Sequence, residues 1–185
     1  MRIVAGAWRG RRLVAPPGEA TRPTADRVRQ ALFDMLLHAP WGGRAVVEGV
    51  RVLDAFAGTG ALGLEALSRG AAHATFMERD RAALAALRAN IAACGAAGRA
   101  AVLAVDATRP RRAEAACGLV FFDPPYREGL VTRALAALGE AGWIAPAALI
   151  VAETGADEPP GGVDKALATR EHGSARITIW RHERG

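Results

Sequence analysis

Cysteine is scarce: Cys94 and Cys117 are the only two among 185 residues. They form neither a CxxC pair nor a disulfide framework, so a reducing cytoplasm is the expected location. His38, His73, His172 and His182 are scattered without the paired spacing of a zinc site, and no metal is expected. No apolar run is long enough to span a membrane, and the start of the chain has no signal-peptide core. Lysine is almost missing, with Lys165 standing alone. Genomic base composition can explain arginine in place of lysine, but not where the arginines cluster. Residues 1–30 hold seven of them (Arg2, Arg9, Arg11, Arg12, Arg22, Arg27, Arg29) against Glu19 and Asp26, a net charge of +5. The whole chain also carries +5, so the remainder balances to zero. A basic arm on a neutral body points to a polyanionic partner, because neutralising phosphates releases counterions.

A hydrophobic fraction of 51% with 23% charged residues is that of a soluble globular protein. The length suits one domain with a small appendage. The expected division is a basic hairpin and helix over residues 1–40, an RNA-binding extension, and a larger unit over residues 41–185. In the first part, Trp8 to Val14 follows a short apolar piece, with a Gly-rich basic turn between them. A helix is expected after Arg22-Pro23-Thr24, with Val28, Leu32, Met35 and Leu36 on one face and Thr24 as its cap. Arg27 and Arg29 should then face solvent. From about residue 50 strands and helices alternate, the mark of a parallel sheet covered on both faces. Strands are expected at residues 50–54, 74–78, 101–105, 119–122 and 148–153. Helices should follow the first two, residues 128–140 read as another, and a hairpin spans residues 165–181.

The chemistry collects where those strands stop. Residues 58–63, Gly-Thr-Gly-Ala-Leu-Gly, match GxGxxG between a strand and a helix, which permits a tight turn and close approach of a ligand. Alone that match is weak. Four carboxylates sharpen it: Asp54, Glu78, Asp106 and Asp123 each stand at or just past a strand's C-terminal end, where open parallel sheets bind ligands. Single carboxylates there are ordinarily caps or turns. Four around one crevice repel a pyrophosphate and suit an ammonium, a sulfonium, ribose hydroxyls and an adenine amine, the groups of S-adenosylmethionine. Glu78, about 20 residues past the turn, is placed for ribose hydroxyls. Asp123 opens the run Asp123-Pro124-Pro125-Tyr126, a stiff ledge at the end of an apolar strand with one carboxylate, fixed carbonyls and a ring. A plain strand-to-loop stop has the same look in isolation.

Together these segments resemble a known family. Residues 54–60 (Asp-Ala-Phe-Ala-Gly-Thr-Gly) with Asp-Pro-Pro-Tyr are similar to class I S-adenosylmethionine-dependent methyltransferases that modify exocyclic amines. Arg9-Gly10-Arg11, Arg22-Pro23-Thr24, residues 26–33 and residues 60–70 resemble the RsmD family of 16S rRNA (guanine-N2) methyltransferases. Ala5 and Gln30 depart from the family's usual glycine and glutamate. The resemblance implies an α/β, Rossmann-like fold, a seven-stranded mostly parallel sheet with one antiparallel strand. It implies that Asp54 and the turn at Gly58 and Gly60 hold the methionine end of the cofactor, Glu78 the ribose hydroxyls and Asp106 the adenine amine, with Phe56, Arg79, Ala107 and Asp123 also binding the cofactor. Asp123, Pro124, Pro125 and Tyr126 would hold the target base, the carboxylate and the Pro124 carbonyl accepting the amine hydrogens and Tyr126 stacking on the ring. S-adenosyl-L-homocysteine is the implied product. The implied partner is 16S rRNA in a small ribosomal subunit, bound by Arg9, Arg11, Arg12, Arg22, Arg27 and Arg29, with the enzyme a monomer.

Three other readings stay open at this point. The same ledge serves a DNA adenine or cytosine amine, or a protein glutamine amide. A nicotinamide-dependent oxidoreductase would use the glycine turn but not the ledge. An RNA-binding module without catalysis would use the arm alone.

Overall fold

The computed structural model describes residues 1–16, 23–125, 129–158, 163 and 165–183. Its elements are α1 (Pro23–His38), β1 (Arg51–Asp54), α2 (Ala61–Ser68), β2 (His73–Glu78), α3 (Arg81–Ala93), β3 (Ala100–Ala104), β4 (Cys117–Phe122), α4 (Leu130–Glu140), β5 (Ile144–Gly155), β6 (Ala168–His172) and β7 (Ala175–Arg181). All seven strands join one sheet in the order β3-β2-β1-β4-β5-β7-β6. β1 to β5 pair in parallel, and β7 runs antiparallel to both β5 and β6. This is the expected Rossmann-like architecture, with the terminal hairpin supplying the single reversed strand.

Alternation along the strands divides the core in two. Val52, Phe76, Phe121, Val151 and Ile177 point to the face covered by α1, α2 and α3. Leu53, Met77, Val120, Phe122 and Ile150 point to the face covered by α4. Both faces are apolar because both are covered, which explains why β4 reads as an unbroken hydrophobic run rather than an alternating one. Strand order reverses between β1 and β4, so the chain leaving β1 parts from a neighbour on each side. Ala55 still donates to the Phe121 carbonyl of β4 and Ala57 to the Met77 carbonyl of β2 (both 3.0 Å). In open parallel sheets the ligand crevice lies at such a divergence.

Most expected elements fall within two residues of their observed bounds. α1 begins at Pro23, one residue before the Thr24 expected to cap it, a position that suits proline's fixed φ and missing donor. α4 starts at Leu130, after Gly129 at φ 59°. β5 is longer than expected. Its first residues pair Ile144 with Cys117, and the register then shifts before Leu149 meets Leu119. Ala147 within that irregular piece has φ 57°, which no hydrophobic pattern announces.

The N-terminal arm closes as a narrow hairpin with one bridge, Arg2 to Arg12, and hydrogen bonds between Ile3 and Arg11 and between Gly10 and Ile3. Ile3 and Leu13 are buried in the same core cluster as α1, α2 and α3. Glu65 of α2 fastens the arm, accepting the backbone N–H groups of Val4 (2.8 Å) and Ala5 (3.0 Å). Ser68 accepts from the Trp8 N–H and donates to the Ala5 carbonyl. At Gly6 (φ 80°) a Cβ would lie 2.0 Å from the Ser68 carbonyl oxygen, so only glycine fits.

The structure corrects the expectation for Arg29. Its side chain is 5% exposed and lies between Asp26 (2.9 Å) and Glu65 (3.4 Å), also donating to the Arg2 carbonyl. Glu65, fully buried, takes a second guanidinium from Arg69 at 2.8 Å. Helical spacing put Arg29 opposite the Val28 and Leu32 stripe, but α1 is covered on that side too, by the arm. Removing the shared anion strands two buried cations and two amides. Glu65→Ala is therefore expected to destabilise the fold by about 3–5 kcal/mol, read as a lower urea midpoint, with Glu65→Gln between it and the parent.

Candidate active site

At the carboxyl edge of the sheet, the turn after β1 is built from glycines with separate tasks. Gly58 (φ 51°) has open space where a Cβ would stand, leaving the turn approachable from outside. Gly60 (φ 79°) packs under Leu87, where a Cβ would come to 2.4 Å. Gly63 lets α2 lie against Phe76 of β2, whose ring would be 2.3 Å from any Cβ. The first glycine faces open space and the other two face the protein.

The acids hold this turn as well as lining it. Asp54 is 1% exposed and accepts the Gly63 N–H at 2.9 Å, so it steadies the start of α2 from behind. The resemblance assigns it to the methionine end of the cofactor; in the structure it lies buried beneath the glycine turn. Burial, only partly offset by the Gly63 bond, pushes its pKa up to about 7, and nearby Glu78 adds to the rise. Glu78 accepts from the N–H of Gly58 (2.8 Å) with one oxygen and from those of Arg79 (2.7 Å) and Asp80 (2.8 Å) with the other. Those three bonds leave part of its acceptor capacity for a ligand hydroxyl. Asp106 takes the backbone N–H and hydroxyl of Thr108 (both 2.8 Å) and the Arg79 guanidinium (2.9 Å). The Thr108 N–H, with smaller help from the Thr108 hydroxyl and Arg79, outweighs burial and holds its carboxyl below the ordinary range. Ala107 beside it is 2% exposed. Phe56 is half-buried at the lip, its ring 6.4 Å from that of Phe122.

Asp123 follows β4 and continues the row. It lies deep among protein atoms, yet it is exposed to water in the crevice, while Pro124 is buried and Pro125 exposed. The surrounding protein, then Glu153, then Asp54, raise its pKa. Water reaching it through the crevice keeps that desolvation partial, so the rise is smaller than a sealed site would give. Among the described residues no donor reaches its carboxylate. Tyr126, expected to stack on a base, lies outside the described residues, as does Arg22.

One participant escaped the sequence reading. Glu153, on β5 beside Asp123, adds an acid to a fifth consecutive parallel strand, after Asp106, Glu78, Asp54 and Asp123. A carboxylate at the end of an apolar strand was the signal, the same one that found the other four. Asn90 was missed too. It is 2% exposed on the inner face of α3 and donates to the Thr59 carbonyl of the glycine turn and to Val14 of the arm (both 2.9 Å), accepting back from Val14. A polar residue among Leu84, Leu87 and Ile91 marked it. Among the described residues no group of three or more His, Cys, Asp or Glu is placed to hold a metal ion.

The arginines expected to meet RNA separate in space. Arg27 is exposed on the first turns of α1. Arg9 and Arg11 sit near the C-terminal ends of α2 and α3, with Arg11 donating to the Ala93 carbonyl at 2.7 Å and Arg12 exposed beside it. Arg29 is internal, as described above.

An open glycine turn at the β1/β4 divergence, a row of strand-end acids and an Asp-Pro-Pro ledge, on a sheet of this order, define a class I S-adenosylmethionine-dependent methyltransferase. The donor set fits that cofactor: acids for an ammonium, hydroxyls and an amine, and no cradle for a pyrophosphate. The sequence family described as Conserved hypothetical protein 95 matches residues 1–181. Ribosomal RNA small subunit methyltransferase D of Escherichia coli strain K12 is 43% identical over 154 residues, 83% of this chain and 74% of that protein. Its namesake in Haemophilus influenzae is 37% identical over 86% of this chain and 81% of its own length. The solved structure of yhhF from Escherichia coli superposes with a TM-score of 0.82 at 38% identity, covering 99% of this chain and 98% of that one. The chain belongs to the RsmD family.

The raised Asp54 pKa has a consequence for stability. The folded protein binds that proton more tightly than the unfolded chain does. The stabilisation is complete below the ordinary value of 3.8 and is lost as pH rises through about 7. Asp54→Asn keeps an oxygen for Gly63 and removes the titration. It is expected to flatten the dependence of the denaturant midpoint on pH across that window.

Proposed function

We propose that this protein transfers a methyl group from S-adenosylmethionine to the exocyclic N2 amine of one guanine in the 16S rRNA of the small ribosomal subunit. The observation that carries this reading is Asp123: a carboxylate without a protein donor among the described residues, at the end of β4, next to the strand that leads into the open glycine turn. An acceptor that the fold leaves unfilled, beside a cofactor turn, suits an amine with hydrogens to give. The name shared by the Escherichia coli and Haemophilus influenzae relatives supports small-subunit rRNA over DNA or a protein amide.

In this reading Glu78 takes ribose hydroxyls and Asp106 the adenine amine, while the backbone of residues 58–60 borders the methionine end. The cofactor supplies an activated methyl on a sulfonium. Asp123 and the Pro124 carbonyl would accept the two amine hydrogens and hold the nitrogen with its lone pair toward the methyl; as that carbon–nitrogen bond forms and S-adenosylhomocysteine leaves, the Asp123 carboxylate would take the released proton. Pro124 and Pro125 make that acceptor pair rigid, so positioning is the main catalytic contribution. The guanine leaves its stack at a cost of a few kcal/mol, least where the RNA is a loop. The substrate in the cell is a small-subunit particle in the cytoplasm, and the enzyme acts as a monomer.

The direct test incubates the protein with labelled S-adenosylmethionine and small-subunit RNA or particles, followed by nucleoside mass spectrometry. N2-methylguanosine is expected; label in duplex DNA or in a protein amide instead would overturn the assignment. Asp123→Ala should lower turnover by roughly 10²-fold or more while RNA affinity stays within a few-fold. Unchanged turnover would remove Asp123 from the mechanism.

A further inference from the structure

Two stretches of this chain contain no aspartate or glutamate: residues 1–18, with Arg2, Arg9, Arg11 and Arg12, and residues 81–105, with Arg81, Arg88 and Arg99. They are far apart in sequence, and the fold joins them side by side. Arg11 donates to the Ala93 carbonyl at the end of α3, and Asn90 of α3 exchanges two hydrogen bonds with Val14. Arg99, just beyond α3, stacks over the Trp8 ring at 5.2 Å. Arg81 and Arg88, seven residues apart, fall on one exposed face of α3. Among the described residues Arg9, Arg12, Arg81 and Arg88 are exposed and none has an ion pair. Arg2 belongs elsewhere, paired with Asp26 beside α1. Asp80 borders the surface at one end, with an oxygen engaged by the Ala83 N–H as the cap of α3.

The direction of this surface matters. α3 starts beside Glu78 and Asp80 at the crevice and, with 13 residues, runs for about 20 Å to the far edge of the sheet. Arg81 is thus at the crevice end, and the arm arginines gather at the other. We propose that the arm and the outer face of α3 form one docking surface for the phosphate backbone of RNA flanking the target nucleotide. The inference rests on the RNA methyltransferase reading above and adds where the rest of that RNA lies. Exposed cations with no ion pair among the described residues, bordered at one end by Asp80, hold a backbone by charge rather than by base sequence. The crevice selects the base; this surface fixes how far from it the neighbouring helix sits.

The test measures binding of the full chain to two RNAs, a short stem-loop with the target guanine and a fragment of small-subunit rRNA several helices long. Arg81→Glu with Arg88→Glu should weaken binding of the long fragment by about ten-fold or more and reduce the slope of log affinity against log salt by about two. Binding of the short stem-loop should change less, and affinity for S-adenosylhomocysteine should not change. The milder pair Arg81→Ala with Arg88→Ala covers a charge reversal that fails to fold. An unchanged salt slope on the long fragment would overturn the proposal while leaving the methyltransferase reading intact. A lowered slope in a protein that methylates no guanine would keep the surface and remove that reading. Binding of the parent to phosphatidylserine vesicles, lost on charge reversal while RNA binding is not, would reassign the surface to a membrane.

Discussion

Carboxylates crowded at one edge of a sheet repel one another, and in this protein backbone amides oppose that repulsion. Parallel strands leave no choice about where their ends lie: five of them deliver Asp106, Glu78, Asp54, Asp123 and Glu153 to the same side. The first three accept N–H groups of the segments that follow them, so the same charge that crowds the edge also holds the chain beyond each strand. Asp123 differs: burial, then Glu153 and Asp54, raise its pKa, and no donor among the described residues lowers it. Three of the strand-end acids thus also accept backbone amides, and Asp123 does not among the described residues.

That division accounts for what was legible in the sequence. Strand ends followed by an acid could be read directly, because a buried apolar run stops where a charge appears, and this located four of the five acids; the order of the strands came only with the structure. Which acids would be internal could not be read. Asp54 and Glu78 look alike as strand ends, yet one is sealed under α2 and the other half-open, because Gly63 brings the helix over β1. The irregular start of β5 was hidden for a similar reason. Ala147 takes a left-handed φ only because the register with β4 shifts there, a matter of pairing rather than propensity.

The arm shows the limit of composition as a guide. Seven arginines clustered in 30 residues look like one nucleic-acid contact. The fold distributes those it describes among four places: Arg29 inside with Glu65, Arg2 beside Asp26, Arg27 exposed on α1, and Arg9, Arg11 and Arg12 near the ends of α2 and α3. Glu65 makes this possible. A fully buried anion gives a short hairpin, too small to hold itself together, a fixed place on the larger unit. What reads as an appendage is part of the wall behind the glycine turn, since Asn90 bonds to both.

One contact has a practical side. The sulfur of Met1 lies 3.5 Å from the Thr59 hydroxyl, inside the glycine turn itself. Any peptide joined ahead of Met1, an affinity tag for instance, begins within reach of the glycine turn, whereas β7 ends at the opposite edge of the sheet. For purification or immobilisation, the tail end of the chain is the handle that leaves that turn clear.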